Sequence, residues 1–230
     1  MINTLINRKV IHTVATALGT LNDKVVYVGG AVVSLYIDDK AAEDVRPTKD
    51  VDISLEIATV AELEKLREDI TRKGFKQSHE DDVICRFRFN DIKIDVMATK
   101  AIGWAPANPW FKSGFNSAIS VIVDGVDVKI LTLPYFLATK FSAYYDRGGN
   151  DARMSHDFED IAYVLNYTSN FKDQILQADE PLQAFLKEAF LNIIQSTHLQ
   201  EAIIGNIYYE EQEVRFNRIM KNLKEITDII

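Results

Sequence analysis

Residues 50–56 read Asp-Val-Asp-Ile-Ser-Leu-Glu, and this alternation constrains the chain more tightly than any other segment. Successive side chains of a strand point to opposite faces, so a period of two marks a strand. Val51, Ile53 and Leu55 then share an apolar face, and Asp50, Asp52, Ser54 and Glu56 share the other. Two carboxylates thus project side by side from one rigid strand. Such a pair is either the solvated face of an edge strand or a ligand set for a cation.

The flanking patterns predict a mixed α/β part followed by helices. Ile6, Val10, Ile11, Val14 and Leu18 fall at helical spacing over 5–18, with Gly19 near a stop. Lys24–Val28 reads as a buried strand, and Gly29-Gly30 as a sharp turn into a short helix over Ala31–Ile37. The charged stretch Asp38–Pro47 reads as a loop. Val60–Lys73 is amphipathic, with Gly74 placed to cap it. Strands are expected over Val83–Phe89 and Ile92–Met97 around the turn Asn90-Asp91, and a second hairpin over Ile119–Ile130 around Asp124-Gly125. Pro134 suits the start of a helix carrying Phe136, Leu137, Phe141 and Tyr144. Gly148-Gly149-Asn150 is a break, Ser155 a cap for a helix to Tyr167, and further helices are expected near 172–178, 181–197 and 207–227. The fold class is α/β (α+β): a mixed-sheet core over 1–132 and a helical carboxy-terminal domain over 133–230.

Bulk properties narrow the function classes. At 230 residues, 47% hydrophobic and 26% charged, the chain is an ordinary globular one. Its longest apolar stretch, Val25–Ile37, is broken by Gly29-Gly30 and Ser34 and is too short to span a bilayer. No secretory signal is visible. Cys85 is the one cysteine, which excludes an internal disulfide and a thiolate cluster, and it reads as a small buried side chain. These features point to the cytoplasm. A net charge of −8 opposes indiscriminate adhesion to nucleic acid, yet leaves room for a nucleotide or an RNA end where a metal reverses the local sign.

Magnesium takes oxygen ligands in octahedral geometry, commonly one or two carboxylates with phosphates and waters, and Asp50 and Asp52 meet that need. Asp95 lies on the polar side of Ile92–Met97 with Lys93. Beside the Asp50/Asp52 strand it would reach a metal or an acceptor hydroxyl; otherwise it pairs with Lys93, Arg86 or Arg88. Asp91 sits in the expected turn. Gly29 and Gly30 either satisfy backbone dihedrals or bare amides to a phosphate. Lys140 leaves a mostly apolar helix face, and wants a phosphate or Asp157 as partner unless it snorkels to solvent. His156 reads as a cap-region or packing residue, with a proton carrier beside Asp157 as the alternative, and His12, His79 and His198 share no metal-ligand spacing. Trp104, Trp110, Phe111 and Phe115 form an aromatic loop that either covers a base or anchors to the core.

Gly29-Gly30, Thr48-Lys49-Asp50-Val51-Asp52 and Asp95 together resemble the signature of the polymerase-β-like nucleotidyltransferase superfamily. Leu137–Ala143, with Lys140, leads through Arg147 to Asp157-Phe158-Glu159-Asp160-Ile161. This is similar to the Lys and Asp-x-x-Asp-Ile motifs of the AbiEii/AbiGii-type toxin branch. Two departures stand out: a long interval from Gly30 to Asp50, and Ser155-His156 where a basic residue often precedes the Asp157 equivalent. The resemblance implies transfer of a nucleoside monophosphate from an NTP to a hydroxyl on a tRNA end, a protein or a small molecule. It implies magnesium or manganese on Asp50, Asp52 and Asp95, nucleotide contacts from Gly29, Gly30, Thr48 and Lys140, and a required Asp157. For a toxin it also implies an antitoxin partner. A non-catalytic nucleotide sensor or protein-interaction module on the same fold is the alternative.

Overall fold

In a computed structural model, residues 2–48, 50–57, 59–147, 149 and 151–230 are described. Lys49 of the acidic motif, and Gly148 and Asn150 of the expected break, lie outside them. The chain divides into two compact units, Met1–Leu35 with Glu43–Thr132, and Tyr36–Ala42 with Leu133–Ile230.

The first unit is built on a six-stranded mixed sheet. Its strands are β1 (Val25–Val28), β2 (Asp50–Leu55), β3 (Arg86–Phe89), β4 (Ile92–Ala98), β5 (Ile119–Val123) and β6 (Val126–Ile130), in the spatial order β3-β4-β2-β1-β6-β5. β2 runs antiparallel to β1 and parallel to β4. Val25–Val28 is buried throughout, as a central strand covered on both faces must be. Helix α1 (Ile2–Leu18) lies against β5 and β6 and buries Val10, Ile11, Val14 and Leu18. Helix α2 (Val60–Arg72) opens on a capping box, in which Thr59 and Glu62 satisfy each other's amides.

Three expectations need correction here. Val83–Cys85 is not strand: Arg86 N–H bonds back to the Val83 carbonyl, and Val83 and Ile84 are exposed. The segment after Gly29 is a 3-10 helix, Gly30–Tyr36. The aromatic loop contains a short helix, α3 (Phe111–Asn116). Trp104 is anchored rather than open, donating to Glu64 at 2.9 Å, with the Arg67 guanidinium 5.5 Å from its ring centre.

The second unit is helical: α4 (Leu133–Asp146), α5 (His156–Tyr167), α6 (Phe171–Leu176), α7 (Glu180–Gln195), α8 (Thr197–Gly205) and α9 (Gln212–Ile229). Ser196 ends one helix and caps the next by accepting from the Leu199 amide, so the run expected over 181–197 stops short. The strap Tyr36–Ala42 belongs to this unit. Its Asp38 and Asp39 amides donate to the Tyr167 carbonyl, and Arg215 of α9 reaches the Asp39 carboxylate at 2.9 Å.

Candidate active site

The acid face of β2 forms as its alternation requires: Val51 and Ile53 are fully buried, while Asp50 and Asp52 are half-buried on the other side. Strand register then does what sequence alone could not. β2 and β4 pair in parallel with Asp52 opposite Asp95 and Asp50 opposite Lys93. Residues in register share a face about 4.8 Å apart, so three carboxylates crowd one patch of sheet. Ser54, next on that face, is 1% exposed, and its hydroxyl has no hydrogen-bond partner among the described residues. An orphaned buried hydroxyl is a rare exception that calls for a local explanation, and it lies one residue pair from the acids.

Gly29 has a reason to be glycine. Its φ is +75°, and a Cβ there would fall 1.9 Å from Asp52 Oδ2. The Asp52 carboxylate thus occupies the space a side chain would need, and a left-handed backbone disfavours one anyway.

Two residues organise this patch that the sequence did not single out. Asn7 on α1 is fully buried; its amide oxygen accepts from the Thr48 N–H at 3.0 Å, and its amide nitrogen donates to the Arg46 carbonyl at 3.2 Å. Thr48 in turn uses its hydroxyl on the Asp50 backbone, accepting from the amide at 3.1 Å. The segment entering β2 is thereby clamped to α1. The available signal was an asparagine at a core position of the α1 stripe, three residues before Val10.

Arg86 is the second. It stands opposite Asp95 in the antiparallel β3–β4 pair and grips it with a fork, Nε to Oδ1 and Nη2 to Oδ2, both at 2.7 Å. That bond, and beyond it the charges of Asp95, Asp50 and Asp81, raises the Arg86 pKa against the opposing effect of burial. Arg88 sits opposite Lys93 and is held by Asp81 instead. Of the three cations the sequence offered Asp95, register selects Arg86. Cys85 next to it is buried and its thiol pKa is pushed up to about 11, by burial first and then by the Asp95 charge.

In the helical unit, Lys140 is 5% exposed and does not snorkel. Its Nζ lies 3.2 Å from Asp157 Oδ1 and 2.6 Å from Asp160 Oδ2, and Arg147 pairs with the other Asp157 oxygen. Ser155 caps α5 by accepting from the Phe158 amide, while His156 is exposed and pairs with Glu159. The two motif aspartates are therefore brought together around the motif lysine.

The donor set suits magnesium in part. Asp50 and Asp52 supply the two hard oxygen ligands such an ion commonly takes from protein, leaving positions for phosphates and water. Among the described residues, however, no three His, Cys, Asp or Glu side chains are gathered to hold a metal ion. The third acid, Asp95, has both oxygens on Arg86.

The family model described as the nucleotidyl transferase AbiEii toxin of type IV toxin–antitoxin systems matches residues 14–227, nearly the whole chain. The chain belongs to this AbiEii family. It is accordingly a nucleotidyltransferase of a type IV toxin–antitoxin family, and the match extends through helices α6 to α9, beyond the last motif legible in the sequence. Among solved structures, the crystal structure of an antigenic nucleotidyltransferase-like protein from Paracoccidioides brasiliensis is similar at 18% identity and a TM-score of 0.47, covering 88% of this chain and 94% of that one. No curated protein sequence matches this chain. No helix among the described residues is long and apolar enough to cross a membrane.

Proposed function

We propose that this AbiEii-family chain is a cytoplasmic, magnesium-dependent enzyme that moves a nucleoside monophosphate from an NTP to a hydroxyl acceptor on a tRNA end, a protein or a small molecule. The observation that carries the reading is the register of β2 and β4, which sets Asp52 opposite Asp95 with Asp50 on the same face.

Asp50 and Asp52 would hold the metal. When bound, magnesium neutralises the triphosphate and the departing pyrophosphate. Gly29 keeps the chain bare beside Asp52, so that the carboxylate can take its position. Asp95 would help hold a second metal and so favour deprotonation of the acceptor hydroxyl. Gly30, Thr48, Lys140 and Asp157 carry over from the resemblance as residues the transfer requires; the buried Lys140–Asp157–Asp160 group gives the last two a demonstrable physical link.

Asp50→Ala and Asp52→Ala are each expected to cut magnesium-dependent label transfer from α-labelled NTP by at least about a hundredfold while circular dichroism stays unchanged. Full transfer by either folded variant refutes the assignment. NTP binding without turnover by the wild type favours a sensor, and no nucleotide affinity favours an interaction module. Toxicity has its own readout. Wild-type expression should arrest growth, co-expression of an antitoxin should relieve it, and Asp52→Ala should be harmless.

A further inference from the structure

We propose that Arg86 is the counter-cation of Asp95 on the acid face, a positioning residue that holds this carboxylate until a divalent metal displaces it. The inference rests on the metal-site reading above and deepens it.

Three observations converge. Asp50, Asp52 and Asp95 share one face of adjacent strands, an arrangement that is costly without positive charge nearby. Arg86 supplies that charge by two-point contact with Asp95, from a side chain only 19% exposed to one 14% exposed. No described trio of ligating side chains is gathered for a metal, and the carboxylate that would complete one is the carboxylate Arg86 grips.

An arginine and a metal dication make incompatible demands on Asp95. The fork uses an oxygen lone pair on each side, and its charge repels an incoming cation. Arginine stays protonated at any physiological pH, so it cannot yield by losing a proton; it yields only by moving its guanidinium away. Metal entry and the Arg86–Asp95 pair thus oppose one another, and each weakens the other by the same factor. The neighbouring cations do not substitute: Lys93 lies opposite Asp50, and Arg88 is committed to Asp81.

The test is calorimetric titration of the full-length protein with Mn2+ alone, with thermal melts in its presence and absence, on wild type, Arg86→Met, Arg86→Lys and Asp52→Asn. Arg86→Met should bind Mn2+ about tenfold more tightly than wild type, melt lower without metal, and gain more from it. Arg86→Lys keeps the charge without the fork, and should bind with intermediate affinity. A structural role alone would lower the melting temperature without tightening metal binding. Equal or weaker binding by Arg86→Met, with wild-type binding lost in Asp52→Asn, overturns the inference and leaves the metal site standing. Binding undiminished in Asp52→Asn, or absent from every form, overturns the metal site and the inference together. Should Arg86→Met fail to fold, Arg86→Lys decides: affinity no tighter than wild type is the overturning result.

Discussion

Asp52 and Asp157 are the same residue type in two opposite settings. On the sheet, three acids lie in register with two cations, Arg86 and Lys93, and all remain partly exposed. In the helical unit, two acids meet Lys140 and Arg147, and Lys140, Asp157 and Asp160 are each at most 5% exposed. The helical group is charge-balanced because burial tolerates nothing else. The sheet group stays partly exposed, where water or a ligand can reach its carboxylates. A motif lysine and a motif aspartate can thus be required by a reaction and by the fold at once, whereas Asp50 and Asp52 stay partly open to water.

Paired substitutions test that contrast, and the largest effect belongs to the helices. Lys140→Met leaves two carboxylates buried beside one exposed arginine, and is expected to cost about 3–5 kcal/mol in urea unfolding at neutral pH. Asp52→Asn relieves like-charge crowding on the sheet, and should change stability by no more than about 1 kcal/mol. If Lys140→Met unfolds like wild type, the lysine is not needed to balance its acids, and its charge is available to substrate phosphates.

Gly29 offers the next probe, because it ties backbone conformation to the sheet acids. Alanine there meets both a positive φ, worth about 1–2 kcal/mol, and the Asp52 carboxylate. Gly29→Ala should therefore lose transfer activity together with stability. Adding Asp52→Ala removes the collision but not the dihedral cost. The double variant is expected to be more stable than the two single effects predict, with a coupling of about 0.5–3 kcal/mol. Additivity would mean that Asp52 turns aside freely, and that Gly29 is needed only for its dihedral.

The same contrast separates what was legible in the sequence from what was not. Period-two alternation in β2, the Asp124-Gly125 hairpin turn and the Ser155 cap are local, and local chemistry wrote them plainly. Arg86 as the partner of Asp95 was one of three candidates, since register is fixed by the pairing of two distant runs and a slip of one residue reverses every side chain. Val83–Cys85 has strand composition, yet the turn ending at Arg86 takes the Val83 carbonyl. The strap Tyr36–Ala42 reads as a charged loop; its place among the helices depends on Arg215 and Tyr167, far along the chain. The interleaved path between units is a long-range outcome that no window of sequence carries.

Asp39 in that strap gives the smallest and most discriminating effect, because it is a paired acid of the helical unit that is still partly open to water. Its carboxyl accepts from the Ala41 amide at 2.8 Å and from Arg215 at 2.9 Å, and these bonds hold its pKa below the ordinary aspartate range. A carboxyl whose folded pKa is depressed binds protons more readily in the unfolded chain. Its stabilisation is therefore complete above the unfolded pKa and is lost as pH falls through the folded one. Asp39→Asn should be less stable than wild type by about 1 kcal/mol at pH 7 in urea midpoints, and the gap should close as pH falls through the depressed folded pKa of Asp39. A gap that persists in acid would assign the contribution to packing and neutral hydrogen bonds. The strap would then be held as the core is held, and the balance of charge that distinguishes the helical unit from the acid face would stop at Lys140.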